Sequence, residues 1–209
     1  SVMGLNPDVV LISDFFPQES YQTLRDMGMK VYVYDTPSNF KEIKASILEL
    51  AQVVGELEKG KQIVAEMDAR IQKLQEKLGS IKEKRKVLFM HAFGAYYSPN
   101  GTFGDTCSFA GVEDVTRSLN YSQPCTLSQE TIVQLNPDSF VIGDWNFDGE
   151  HSPDALKEEL LSNQSYMTTN AGKNKSIIVI PSAHLLTCSQ HFVLGVEDMA
   201  KAAYPELFP

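Results

Sequence analysis

Only three cysteines, Cys107, Cys125 and Cys188, occur in 209 residues. An odd and low count excludes a disulfide framework. Three reduced, mostly buried thiols are the simplest expectation, and a Cys107–Cys125 pair stays open if the protein is exported. Basic side chains are also scarce: 18 Lys and Arg stand against 27 Asp and Glu, a formal charge of −9. That balance speaks against nucleic acid, whose phosphates need clustered cations, and against anionic lipid surfaces. No run approaches the ~18 apolar residues that a spanning helix requires. The opening SVMGLNPDVV has neither a basic n-region nor a cleavage site, so no signal peptide is expected within these residues. Enzyme signatures are missing too. There is no Gly-x-Ser-x-Gly elbow, Walker loop, Gly-x-Gly-x-x-Gly or His-Glu-x-x-His, although fold alone never excludes catalysis.

What is present describes a folded α/β protein. Hydrophobic residues make up 43% of the chain, enough for a sizeable core at this length. Val9 to Ile12 is a continuous apolar run of the kind buried on both faces of a parallel sheet. Pro17 and Glu19 open a helix that Gly28 closes, and Val31 to Tyr34 is β-branched and aromatic. These segments predict a βαβ unit. From Ser38 to Leu78 the apolar period becomes helical, with Phe40, Ile43, Ile47, Leu50 and Val54 on one stripe. Ile63, Met67, Ile71, Leu74 and Leu78 continue it. Gly55 and Gly60 mark breaks, giving two helices or one kinked helix, with Ser38 or Asn39 as cap.

Past the charged run Lys82 to Lys86 the alternation returns. A strand at 87–91 leads into a Gly- and aromatic-rich loop, 91–101, and a short helix from about Asp105 stops at Gly111. Helices are expected over 128–135 and 153–161, and from about Ser189, with strands over 139–142 and 176–180. Leu5-Asn6-Pro7-Asp8 before the first strand is echoed by Leu135-Asn136-Pro137-Asp138 before a later one. In both, Pro stops the preceding helix and Asp begins the turn. Two similar α/β lobes follow from that echo: an N-terminal lobe over 1–38, a connecting helical segment over 39–79 and a C-terminal lobe over 80–209.

Taken in order, these stretches resemble the solute-binding proteins of ABC importers that carry ferric siderophores, haem or cobalamin. The resemblance rests on Leu5 to Ile12, Leu24 to Val33 and the helical stretches Phe40 to Gly55 and Gly60 to Leu78. Further along it rests on Gly101-Thr102-Phe103 with Phe109 to Glu113, Leu127 to Gly143 and the ending Tyr204 to Phe208. It implies two Rossmann-like αβα lobes with parallel sheets, the first incomplete, since family members carry about two more strands and helices before the first Leu-x-Pro-Asp. It implies no enzyme and no resident cofactor. The expected role is capture of a metal chelate outside the cytoplasm and delivery to a permease and its ATPase. A lipid anchor would lie outside this chain. Two other readings stay open: a cytosolic protein like the two-lobed metallocluster reductases, for which three scattered cysteines fit poorly, and an interaction module without ligand binding.

Aromatic residues following strands are the expected ligand contacts: Phe15 with the neighbouring Phe16, then Phe93, Tyr96, Tyr97 and the single tryptophan, Trp145. His184 is expected in a ligand-touching loop, and with Tyr96 or Tyr97 it keeps haem open. His184, Cys188 and His191 would share a face only on one continuous helix. Pro181 and Ser189 argue against such a helix, so no metal site is expected. His91 reads as strand core and His151 as surface. Glu130, in the first turn of its helix, matches the family's acidic residue that docks on the permease.

Overall fold

The protein is described from a computed structural model covering residues 2–98, 101–144 and 152–209. It divides into two compact units, residues 1–64 and 65–209.

The first unit opens with a 3-10 turn, Val2–Leu5, followed by strand β1 (Val10–Ser13), helix α1 (Gln18–Asp26) and strand β2 (Val31–Tyr34). β1 and β2 pair in parallel, Val10 opposite Val31 and Ser13 opposite Tyr34. Gly28, at φ 83°, supplies the left-handed residue that turns the chain out of α1. Helix α2 (Phe40–Val53) is capped by Asn39, whose side chain accepts a hydrogen bond from the Glu42 amide. Glu42 in turn accepts from the Ser38 amide and hydroxyl. This reciprocal arrangement fixes where the helix begins.

Helix α3 (Leu57–Leu78) follows. The break between α2 and α3 falls at Gly55, with φ 78°. Gly60, read as a second break, lies inside α3. A Cβ there would overlap the Ala51 Cβ, so its role is close packing of α3 on α2. The boundary between units lies within α3, between Val64 and Ala65. The cause is the stripe Met67, Ile71, Leu74 and Leu78, all buried, which assigns the second half of α3 to the C-terminal core.

The second unit contains strands β3 (Lys86–His91), β4 (Gly94–Tyr97), β5 (Glu113–Asp114), β6 (Cys125–Thr126), β7 (Ser139–Gly143) and β8 (Ile177–Ile180). Its helices are α4 (Thr102–Phe109), α5 (Gln129–Leu135), α6 (Pro153–Ser162), α7 (Asn170–Lys173), α8 (Ser182–Leu185) and α9 (Phe192–Ala203). Short 3-10 turns at Val115–Ser118, Tyr166–Thr168 and Pro205–Leu207 complete it. The strand order is β6-β4-β3-β7-β8, with β5 beside β3. β3, β5, β7 and β8 are parallel. The sheet is nevertheless mixed, because β4 runs antiparallel to β3 and β6 antiparallel to β4. The stretch read as a loop after β3 is thus a hairpin arm, turned by Gly94 at φ 97°. The stretch read as a loop before the last helix likewise contains α8.

Leu88 and Met90 of β3, with Phe140 and Ile142 of β7, point into one core shared with Ile132, Leu160 and Tyr166. On the other face α9 buries Phe192, Val193, Val196 and Met199. β7 is buried along its whole core, as a central parallel strand should be. Full burial of a Leu, Phe or Met side chain stabilises by roughly 1.5–3 kcal/mol, so this two-faced packing holds the strand ends where the site is built. The three cysteines are free: Cys107 is buried, Cys125 half-buried and Cys188 exposed.

Candidate functional site

In parallel α/β sheets the carboxyl ends of the strands are where backbone diverges and ligands settle. β3 ends at His91 and β5 at Asp114. Both residues line a cavity of about 230 Å³, shared with Phe89, Tyr96, Thr102, Phe103 and Arg117. The cavity lies wholly within the second unit.

Its walls follow from strand geometry. Side chains two apart on a strand share a face, so Phe89 and His91 emerge together, their rings 4.1 Å apart between centroids. Phe103, from the first turn of α4, stacks on Phe89 at 5.2 Å with the planes 25° apart. The result is a column of three rings, His91, Phe89 and Phe103. Burial lowers the pKa of His91, so its imidazole is neutral at neutral pH. Tyr96 adds a fourth ring from β4 and is half exposed, at 50%.

Two charged groups, Arg117 and Asp114, set the electrostatics. Arg117 extends from the turn after β5 and packs against Gly104, where a Cβ would overlap its guanidinium. Its Nε lies 3.7 Å from Asp114 Oδ2. Asp114 is itself fixed, accepting from the Thr116 amide at 3.0 Å and the Thr116 hydroxyl at 2.7 Å. Burial pushes the Asp114 carboxyl up, against the downward pull of those hydrogen bonds and of Arg117. The N-terminus of α4 faces the same space through Thr102 and Phe103, and helix N-termini favour negative charge. Flat aromatic surface beside a guanidinium and a helix N-terminus suits a bulky ligand that carries anionic groups.

The residues expected from sequence fall in different places. Tyr96 lines this cavity and also another of about 250 Å³ and more open shape beside it, which Phe93 shares. Phe93 is 78% exposed. Tyr97 points to the opposite face of β4, is buried in the core, and donates its hydroxyl hydrogen to the Tyr121 carbonyl at 3.2 Å. Phe15 and Phe16 are exposed in the first unit, edge to face at 6.1 Å. His184 lies on α8 with Nδ1 2.7 Å from Asp198 Oδ2, and it does not line the cavity. His184, Cys188 and His191 do not share a helix. Among the described residues no group of His, Cys, Asp and Glu could hold a metal ion. Glu130 is exposed in the first turn of α5, behind the Ser128 cap. Trp145 and His151 lie outside the described residues.

Phe89, His91, Phe103, Asp114 and Arg117 were not singled out from sequence as site residues. The Phe89-x-His91 alternation at a strand end was the available signal. The Asp114–Arg117 pair and the glycine at 104 carry meaning only once α4 is placed beside β5.

A family model described as "Periplasmic binding protein" matches residues 1–184. Among curated relatives, the chain is 25% identical over 219 residues to YvrC of Bacillus subtilis strain 168, an uncharacterized ABC transporter substrate-binding lipoprotein. That match covers 99% of this chain and 65% of the relative. The chain is 24% identical over 182 residues to the iron-uptake system-binding protein of the same organism, covering 85% of this chain and 56% of the relative. It therefore spans less than two thirds of the length of both. Among solved structures, the periplasmic heme-binding protein RhuT from Roseiflexus sp. RS-1, in apo form, superposes with a TM-score of 0.84. That superposition has 20% identity and covers 99% of this chain and 79% of that one, a shared fold.

Proposed function

The chain belongs to the periplasmic binding protein family, and on that basis we propose that it is the substrate-binding component of an ABC importer, acting outside the cytoplasm. Its cargo is a metal chelate with a flat or bulky body and anionic groups, such as a ferric siderophore or haem. A corrinoid, named for other members of the family, fits the guanidinium less well. Cargo passes to a membrane permease driven by an ATPase, and Glu130 is the contact this chain offers to the permease. No helix among the described residues is long and apolar enough to cross a membrane.

The observation that carries this reading is the cavity at the ends of β3 and β5, where the rings of His91, Phe89 and Phe103 meet Arg117. The rings supply apolar area, at roughly 25 cal/mol for each Å² buried. The guanidinium supplies a charge-assisted hydrogen bond to carboxylate, catecholate or hydroxamate oxygen, worth about 1.5–3 kcal/mol.

The test is a thermal-shift panel of haem, cobalamin and several ferric siderophores, followed by calorimetric titration of any hit. A ligand at about 100 times its Kd adds about 2.7 kcal/mol of stability. Binding of an anionic chelate that weakens at least tenfold in Arg117→Ala is expected. Equal stability with and without every member of the panel would remove the reading.

A further inference from the structure

A second concave site lies in the same unit and shares no residue with the first. Arg70, Lys73, Leu74 and Lys77 fall at i, i+3, i+4 and i+7 along α3, which puts them on one face. Glu197 and Lys201 stand one turn apart on α9. With Phe208 these residues enclose a cavity of about 270 Å³. Four cations line it against one carboxylate, a local excess of three positive charges in a chain whose formal charge is −9.

The arrangement is ordered. Arg70 meets Glu197 in a fork, Nε to Oε1 and Nη2 to Oε2 both at 2.9 Å. That pairing satisfies the carboxylate. Lys201 stands at 3.9 Å from the same group. Lys77 Nζ lies 5.2 Å from the centre of the Phe208 ring, which gives it an aromatic neighbour. Leu74, buried to 5% exposure, forms the floor. Lysine charges set around a concavity with an apolar floor focus positive potential into it. Its lining is mainly cationic, with the single ring of Phe208 in place of the several rings of the first cavity, so its occupant is a compact multivalent anion rather than a chelate.

The geometry points to a binding site for a phosphate group between α3 and α9, held by Lys73, Lys77 and Lys201. Lysine ammonium groups serve phosphate as point charges, and Glu197 keeps Arg70 in place beside them. The source is a free phosphate compound, because the overall negative charge opposes adhesion to an anionic lipid surface. This site is independent of the chelate cavity, and each can fail without the other.

The test is titration of the whole chain with inorganic pyrophosphate at low salt, followed by amide chemical shifts. Perturbations centred on residues 70–77 and 197–208 are expected. Lys73→Glu with Lys201→Glu should weaken binding about tenfold or more. Lys30→Glu with Lys41→Glu, which changes net charge equally elsewhere, should leave it nearly unchanged. Co-sedimentation with phosphatidylglycerol vesicles, competed by pyrophosphate and lost in the first pair of substitutions, would support the phosphate site and give lipid as its source. Absence of shifts at the cavity, or equal weakening by both pairs, overturns the site.

Discussion

Arg117 lies against Gly104 so closely that a Cβ at position 104 would occupy the place of its Nη2, Cζ and Nε atoms. The glycine is therefore part of how the guanidinium is aimed. Gly104→Ala forces the flexible end of an arginine to move, which the fold tolerates, and alanine gains up to about 1 kcal/mol of helix propensity. The melting temperature should hold or rise slightly while affinity for an anionic chelate falls about tenfold. Gly172→Ala is the contrast. Its Cβ would meet the Tyr166 carbonyl and the Met167 Cα, which are backbone. Overpacking of that kind costs about 1–3 kcal/mol. Thermal denaturation and ligand titration of the two variants should move in opposite senses.

Tyr96 and Tyr97 are neighbours in sequence with opposite duties, because successive strand side chains face opposite ways. Tyr97→Ala removes a buried ring and its hydrogen bond to Tyr121. A loss of about 3–5 kcal/mol is expected. Tyr96→Ala removes a half-exposed ring from the cavity wall. It should cost less than about 1 kcal/mol in stability and weaken chelate binding. Denaturant unfolding beside calorimetry separates the two. Equal loss of stability in both variants would contradict the register of β4.

Local chemistry was legible in the sequence and assembly was not. Asn6 and Asn136, the matched positions of the Leu-Asn-Pro-Asp echo, adopt φ values of 43° and 45°. Asparagine tolerates that left-handed conformation, and the proline after it stops the preceding turn. Asn136 and Asp138 then tie the second copy to Asn170 and Lys86. β1 likewise announced itself through a continuous apolar run, and β2 through β-branched and aromatic residues. β4 did not, because a four-residue strand beginning with glycine has no length over which alternation can be read. The cavity was hidden for a different reason. Its walls come from residues such as Phe89, His91, Tyr96, Phe103, Asp114 and Arg117, brought together by sheet order rather than by spacing. His91 looked like core because nothing in the sequence marks the last residue of a strand.

Asp114 is a buried carboxyl whose pKa is raised, mainly by burial. An acid more easily protonated folded than unfolded stabilises the fold least when ionised. As pH rises from the ordinary aspartate value near 3.8 through the raised folded value, the unfolded chain releases its proton first and stability falls. Above that window the effect is constant. Asp114→Asn keeps an acceptor for Thr116 and removes the titration. The difference in melting temperature, wild type minus variant, should therefore decrease with rising pH through this window and then level off. A difference that grows with pH would mean that Thr116 and Arg117 outweigh burial.

Among the described residues, Glu130 has no firm partner. Ser128 already caps α5 by accepting from the Thr131 amide, and Gln134 reaches the Glu130 carboxylate only at 3.5 Å. Its favourable interaction with the helix N-terminus is worth about 0.3–1 kcal/mol, so folding makes little demand on it. A permease with basic sockets would make a larger one, since charge pairs across an interface govern encounter and register. Glu130→Arg in the full-length protein should therefore lower the melting temperature only slightly, leave chelate affinity unchanged and abolish cellular uptake of the chelate. Glu130→Gln, which removes the charge without reversing it, should reduce uptake less. Normal uptake by Glu130→Arg at normal protein levels would detach Glu130 from permease docking and leave it as a helix-terminus carboxylate alone.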